Sequence, residues 1–268
     1  MGKMEVRDQI SQAMQKFNLF SNVFMKVVFQ DLMACQHVLR ILTGNSELSI
    51  VDVRTEYEIA KVKSHDSRLD VLAEDKDGKM YNLEMQRDKY LDHAKGVRFY
   101  NAMVDSELLE KGKDYDVLPE LSTYYISESD IWKKKQACYQ LEKSLSCVEE
   151  PYKDGISITY VNAEIDDCSE VAKLMKYFKT ADPYDTSQGD LSKRVHFLKC
   201  EKEGIKIMCK VTDELIEIGK EIGEENSSRR IALRMAEKGM KLADIVDFTG
   251  ISVERAKIWM EEASIVCN

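Results

Sequence analysis

The chemistry in this chain is most legible in the stretch Arg68-Leu69-Asp70-Val71-Leu72-Ala73-Glu74-Asp75-Lys76-Asp77-Gly78-Lys79-Met80-Tyr81-Asn82-Leu83-Glu84-Met85-Gln86. It reads as a β-hairpin, because Lys76-Asp77-Gly78 suits a three-residue loop in which a type I turn is followed by a left-handed glycine. That loop pairs Asp75 with Lys79 and so sets Asp70 opposite Glu84. With side chains alternating across a strand, Asp70, Glu84 and Gln86 share one face; Leu69, Val71, Tyr81, Leu83 and Met85 share the other. Two carboxylates facing each other across a ladder repel unless a cation lies between them. A divalent ion that takes hard oxygen ligands, Mg²⁺ or Mn²⁺, resolves the conflict, with water and substrate phosphate completing its shell. Such an ion lowers the pKa of bound water and stabilises the charge that develops in phosphodiester hydrolysis. The pattern alone also fits a solvated outer face whose acids are neutralised by Arg68 or Lys79.

Asp70, followed fourteen residues later by Glu84-x-Gln86, resembles the PD-(D/E)XK nuclease signature in the form that ends in Gln. Flanking blocks narrow the likeness to the Rpn family of recombination-promoting nucleases and transposases. Arg68-Leu69-Asp70-Val71, Tyr81-Asn82-Leu83-Glu84-Met85-Gln86, Arg98-Phe99-Tyr100-Asn101 and Ile126-Ser127-Glu128-x-Asp130-Ile131-Trp132 are all similar to it. So are Phe24, Val27 and Phe29, Gly112-x-x-Tyr115, Tyr160-Val161-Asn162, Leu174-Met175, Asp182-Pro183 and Arg194-Val195-x-Phe197, a likeness covering roughly residues 20–210. The resemblance implies a restriction-endonuclease-like core, with Asp70 and Glu84 as metal ligands and Gln86 at the position that handles the attacking water. Gln86 stands where lysine is usual. An ammonium can stabilise charge or shed a proton, whereas a neutral amide positions water only through hydrogen bonds. Catalysis then either runs slower or borrows a cation, and Lys95 and Arg98, three residues apart on the following helix, are the candidates to supply one. Tyr100, in the same block, either supports the site or packs at a helix–sheet contact. His65, five residues before Asp70, reads as a surface residue.

The elements that must hold these residues follow from periodicity. Apolar residues at helical spacing from Phe20 to Leu42, stopped by Thr43-Gly44-Asn45, predict one long buried helix. Strand-like runs follow at about Leu48–Tyr57, Leu69–Ala73 and Met80–Gln86, then a helix from about Tyr90 to Glu110. Ser122–Ser127 and Ile156–Val161 add strands rich in β-branched and aromatic residues, and from Val171 the pattern is helical nearly to the end. This order predicts an α/β fold with a central mixed sheet flanked by helices, plus a helical C-terminal tail. Three prolines and 12 glycines are too few for the turns of an all-β fold. The expected division is a nuclease-like domain over residues 1–210 and a connector with the tail over 211–268.

Within the tail, breaks at Gly239 and Gly250 leave three helical segments that look like a helix-turn-helix, with Ser252 capping the last. Docked in a major groove, that last helix presents Arg255 and Lys257 to the bases; packing or self-association is the other reading. A net charge of −9 argues at first against nucleic acid. The acidity is local, however: Asp and Glu exceed Lys and Arg by ten within residues 101–226, and every other segment lies within one charge of balance. DNA stays open as a partner. Lys133-Lys134-Lys135, just after Trp132, reads as a phosphate contact or as a solvated run. Seven scattered cysteines without a C-x-x-C point to neither zinc nor disulfides. No apolar stretch reaches the length of a membrane span, and the first residues carry no signal-peptide core, so a cytoplasmic protein without a membrane partner is expected, a homo-oligomer being left open.

These readings predict a Mg²⁺- or Mn²⁺-dependent DNA endonuclease linked to recombination or transposition. The alternative is a nuclease fold that is catalytically weak or inactive and persists as a DNA-binding or partner-binding module. Nothing in these residues separates DNA from RNA.

Overall fold

A computed structural model describes residues 15–58, 68–87, 93–145, 147–148 and 150–263. The chain divides into two compact units, residues 1–209 and 210–268.

The first unit opens with helices α1 (Asn22–Phe29) and α2 (Leu32–Thr43), where the periodicity predicts a single helix. The break falls at Gln30-Asp31. Asp31 is extended, and its carboxylate accepts the Ala34 N–H at 2.9 Å, so it caps a new helix instead of continuing the old one.

Strands β1 (Ile50–Glu58), β2 (Arg68–Asp75), β3 (Met80–Gln86), β4 (Leu121–Ser127), β5 (Cys138–Gln140) and β8 (Ile156–Asn162) form one sheet in the order β1-β2-β3-β4-β8-β5. The first three strands are antiparallel neighbours, β3, β4 and β8 run parallel, and β5 returns antiparallel at the edge. The sheet is therefore mixed, and the fold is α/β with a restriction-endonuclease-like core, as the sequence predicts. The short β6 (Ser144–Leu145) and β7 (Glu150–Pro151) pair separately. At two or three residues, β5, β6 and β7 carry no alternation long enough to read.

Parallel neighbours need a crossover, and helix α3 (His93–Leu108) lies between β3 and β4 in the chain. Its Met103 and Val104 pack with Leu72, Met80 and Leu121, Val97 packs on Tyr125 and Tyr160, and Asn101 Oδ1 accepts the Thr123 hydroxyl at 2.6 Å. Strand alternation puts Leu72, Met80, Thr123 and Tyr125 on the same side of the sheet as Asp70 and Glu84. The acidic face is thus covered by α3, which overturns the solvated alternative. Helices α4 (Glu170–Thr180) and α5 (Gly189–Cys200) complete the unit. The Phe178 ring packs against Phe20 and Phe29, with centroids 6.1 and 6.2 Å away. Lys199, buried on α5, donates its ammonium protons to the carbonyls of Gln15, Phe17 and Ala181 at 3.2, 2.7 and 2.8 Å.

Helix α6 (Lys202–Glu237) starts so close to α5 that a Cβ at Gly204 would lie 2.1 Å from the Phe197 carbonyl oxygen. Gly204→Ala is expected to lower stability by about 1–3 kcal/mol, the cost of an overpacked contact. Gly223→Ala in the same helix, with open space around it, should be neutral or stabilising in the same thermal melts.

In the second unit the end of α6 packs with α7 (Leu242–Thr249) and α8 (Val253–Glu262) around Ala232, Ala236, Ile245, Ala256, Trp259 and Met260. Gly250 closes α7 at φ +70°, and Ser252 Oγ accepts the Arg255 N–H at 3.2 Å. Ile231, next to Ala232 on α6, is 39% exposed. No described helix is long and apolar enough to cross a membrane.

Candidate active site

The hairpin turn is built by Asp75. Its Oδ1 accepts the N–H groups of Asp77 and Lys79 at 2.9 and 3.0 Å, and Gly78 takes the left-handed conformation at φ +82°. Pairing then runs from Glu74 with Met80 to Val71 with Leu83, in the register predicted from the turn. One step further along the strands, Met85 N–H donates to Asp70 Oδ2 at 2.9 Å, which holds Asp70 against the Glu84-Met85-Gln86 end of β3.

Glu84 is only 7% exposed, and its Oε1 is buried with no hydrogen-bond partner among the described residues. Burial, reinforced by the negative charge of Asp70, pushes its carboxyl well above the usual carboxylate range, although the Asn82 side chain and the Asp70 backbone oppose the rise in part. Asp70 is also raised by burial. The Met85 N–H and the charge of Lys26 pull it back in part, and Glu56 adds to the rise.

Glu56 completes a row of acids. On β1, Thr55 pairs with Val71 and Tyr57 with Leu69, so Glu56 sits level with Asp70 on the side away from Glu84. Its φ is +55°, a left-handed value within a strand. Its carboxylate pairs with the Lys26 ammonium and with Arg68 Nη1 at 3.0 Å. Burial alone would raise Glu56, but Lys26 and Arg68 hold it below the ordinary range. Arg68 thus pairs with Glu56, and Lys79 pairs with Glu120 at 3.1 Å.

Asp70 and Glu84 open into a cleft of about 350 Å³, whose walls also include Arg68, Gln86, Arg87 and Tyr100. Asp70, Glu84, Gln86 and Tyr100 of the sequence-predicted set are brought together there. Lys95 and Arg98 are not among the cleft residues. Val97, Asn101 and Val104 turn one face of α3 to the sheet, which leaves Lys95 and Arg98 on its exposed faces. His65 lies outside the described residues.

Cations near the acids come instead from Arg68, Arg87 and Lys26. Sequence reading missed Lys26, although a signal was present: it is the one charged residue of α1, flanked by buried Met25 and Val27. In the second unit, Arg255 lies 5.8 Å over the Trp259 ring and Lys257 is exposed on α8. A separate groove of about 360 Å³ on α6 is lined by Arg229, Arg230 and Arg234.

A buried carboxylate oxygen without a donor, beside a second, half-buried carboxylate, is an arrangement that a hard divalent cation satisfies. No group of three or more His, Cys, Asp or Glu side chains converges among the described residues. Two carboxylates are the donor set here, which suits an ion such as Mg²⁺ that keeps several waters and takes further oxygens from substrate phosphate.

A helix-flanked mixed sheet with an acidic pair at the end of a hairpin defines the class, the restriction-endonuclease-like fold of PD-(D/E)XK nucleases. The family profile of the PD-(D/E)XK nuclease family transposases matches residues 19–239, most of the chain, and the chain belongs to that family. Membership carries a nuclease-like function linked to transposition, DNA as the implied substrate class, and the general use of divalent metals by PD-(D/E)XK nucleases. No curated protein and no solved structure gives a significant match.

Proposed function

We propose that this protein is a divalent-metal-dependent DNA endonuclease that hydrolyses phosphodiester bonds in a recombination- or transposition-like process. The observation that carries the proposal is the partnerless, buried Oε1 of Glu84 beside Asp70, at the wall of a cleft that also holds Arg68 and Arg87.

Asp70 and Glu84 would hold the ion, Mg²⁺ or Mn²⁺. When bound, such an ion supplies a lowered water pKa and neutralises charge on the phosphoryl oxygens. The remaining work falls to the chain itself. Met85 N–H fixes the Asp70 carboxylate through one oxygen, leaving the other for the cleft. Gln86 accepts a hydrogen bond from the attacking water through its amide oxygen and so orients it; a neutral amide cannot take the proton, which must leave to solvent or substrate. Arg68 and Arg87 offer planar donors to the phosphate, and Tyr100 offers a hydroxyl from α3. In the second unit, Arg255 and Lys257 are the proposed base-edge contacts.

Plasmid nicking with Mg²⁺ or Mn²⁺ tests this reading. Wild type is expected to nick, with no nicking above background from Asp70→Ala or in EDTA. Equal cleavage by both proteins would reject the assignment. Metal-independent DNA binding without any nicking would mark the chain as a binding module, the reading that the neutral Gln86 favours.

A further inference from the structure

The segment after β4 is built in a way that the hydrolytic site does not explain. Asp130 is 7% exposed, and its carboxylate accepts the N–H groups of Lys133 and Lys135 at 3.0 and 2.8 Å and the Tyr139 hydroxyl at 2.7 Å. The Tyr139 oxygen in turn accepts the N–H groups of Lys134 and Gln136, each at 3.2 Å. Four consecutive backbone donors are thus used inside the loop, and the side chains of Lys133, Lys134 and Lys135 are left exposed. Lys133 and Lys135 hold φ values of +54° and +59°, where glycine or asparagine is the easier occupant, yet both positions carry lysine. No described carboxylate forms an ion pair with any of the three ammonium groups. They form a positive island within the most acidic part of the chain.

The loop's position relates it to the cleft. Ser127, where β4 ends, pairs with Gln86, and the Glu128 N–H donates to the Gln86 carbonyl at 3.2 Å. The far end of the loop is tied to the end of β8, where Asn162 Nδ2 donates to the Gln136 carbonyl at 2.7 Å. Trp132 anchors the middle, edge-on to His93 at 4.8 Å and to Tyr160 at 5.3 Å. The lysines therefore sit at the carboxyl ends of β4 and β8, one and two strands from β3. With strands about 4.8 Å apart, the base of the loop lies one to two strand spacings from Glu84 on β3.

We propose that the Asp130-organised loop is a phosphate clamp for duplex DNA, with Lys133, Lys134 and Lys135 contacting the backbone beside the bond that is cut. The proposal rests on the nuclease reading for the place of the cut, and its test measures binding alone. Full-length protein is titrated onto a fluorescently labelled duplex in EDTA over a range of salt concentrations. Each phosphate contact contributes about 0.9 to the slope of log K against log salt. Replacing all three lysines by alanine is expected to make that slope shallower by about two to three, while replacing all three by arginine preserves it. Unchanged melting of both variants excludes a folding defect, as three exposed side chains require. A slope unaltered by the alanine variant overturns the clamp and leaves the island to an acidic protein segment. A slope change in a protein that does not nick would retain the clamp and reject only the hydrolase; nicking with an unchanged slope would do the reverse.

Discussion

Glu84→Gln is expected to make the metal-free protein more stable at neutral pH and to reduce its nicking by about 10²–10³-fold or more, the scale of losing a principal electrostatic group in a hydrolytic site. Both effects come from one atom pair. Burial first, and the charge of Asp70 second, disfavour the ionised form of Glu84 and raise its pKa, against a smaller pull from the Asn82 side chain and the Asp70 backbone. A carboxyl raised on folding binds its proton more tightly in the folded state. Its contribution is complete below the unfolded pKa, about 4.3 for glutamate, and is lost as pH rises through the folded value. Glutamine keeps the shape and carries no charge. Melts in EDTA should therefore coincide near pH 4 and separate as pH rises, with the variant ahead by about 1–3 kcal/mol at neutrality, the cost of an unsatisfied buried group. Saturating Mg²⁺ should reverse the order. A ligand at a hundred times its Kd adds about 2.7 kcal/mol to whichever protein binds it, and wild type alone retains both carboxylates. A variant that melts below wild type in EDTA at neutral pH would mean that Glu84 is satisfied without a metal.

That prediction draws on the part of the molecule that local chemistry specifies best. The turn Lys76-Asp77-Gly78 needs only neighbouring residues to form, and it alone determines which residue of β2 meets which of β3. Hence the adjacency of Asp70 and Glu84 can be read from the sequence. Their burial cannot, because it depends on α3 folding back across the sheet through contacts such as Asn101 with Thr123. The same distinction explains the other differences. The periodicity from Phe20 to Leu42 records one apolar face but not Asp31 turning its carboxylate inward to begin a second helix. Lys95 and Arg98 follow the signature closely in sequence, yet both are exposed on α3 and neither is among the residues lining the cleft. Lys26 is more than forty residues before Asp70, and beside that acid it pairs with Glu56, whose left-handed backbone within β1 has no signature in residue type.

Lys26 therefore carries the second large prediction. With a neutral Gln86 in the usual lysine position, the cation that acts on Asp70 comes from α1, and its effect is read through ionisation. Lys26 lowers the Asp70 pKa and Glu56 raises it, so the two should have opposite signatures. Lys26→Met removes the stabilising charge and leaves Glu56 with Arg68 alone. The acid limb of the nicking profile, where protons compete with the metal for the carboxylates, should move to higher pH. The rate just below neutrality should fall about tenfold, equivalent to ~1.4 kcal/mol of lost electrostatic stabilisation. Glu56→Gln should move the same limb to lower pH, because it deletes the repelling neighbour and leaves the ammonium. A purely structural role for the Lys26–Glu56 pair makes a different forecast: both substitutions break the same contact and so damage activity alike, without opposite shifts. Gln86→Lys in the Lys26→Met background supplies a cation from β3 instead and should return the limb toward wild type. Profiles that superimpose for all of these proteins would remove Lys26 from the site's electrostatics.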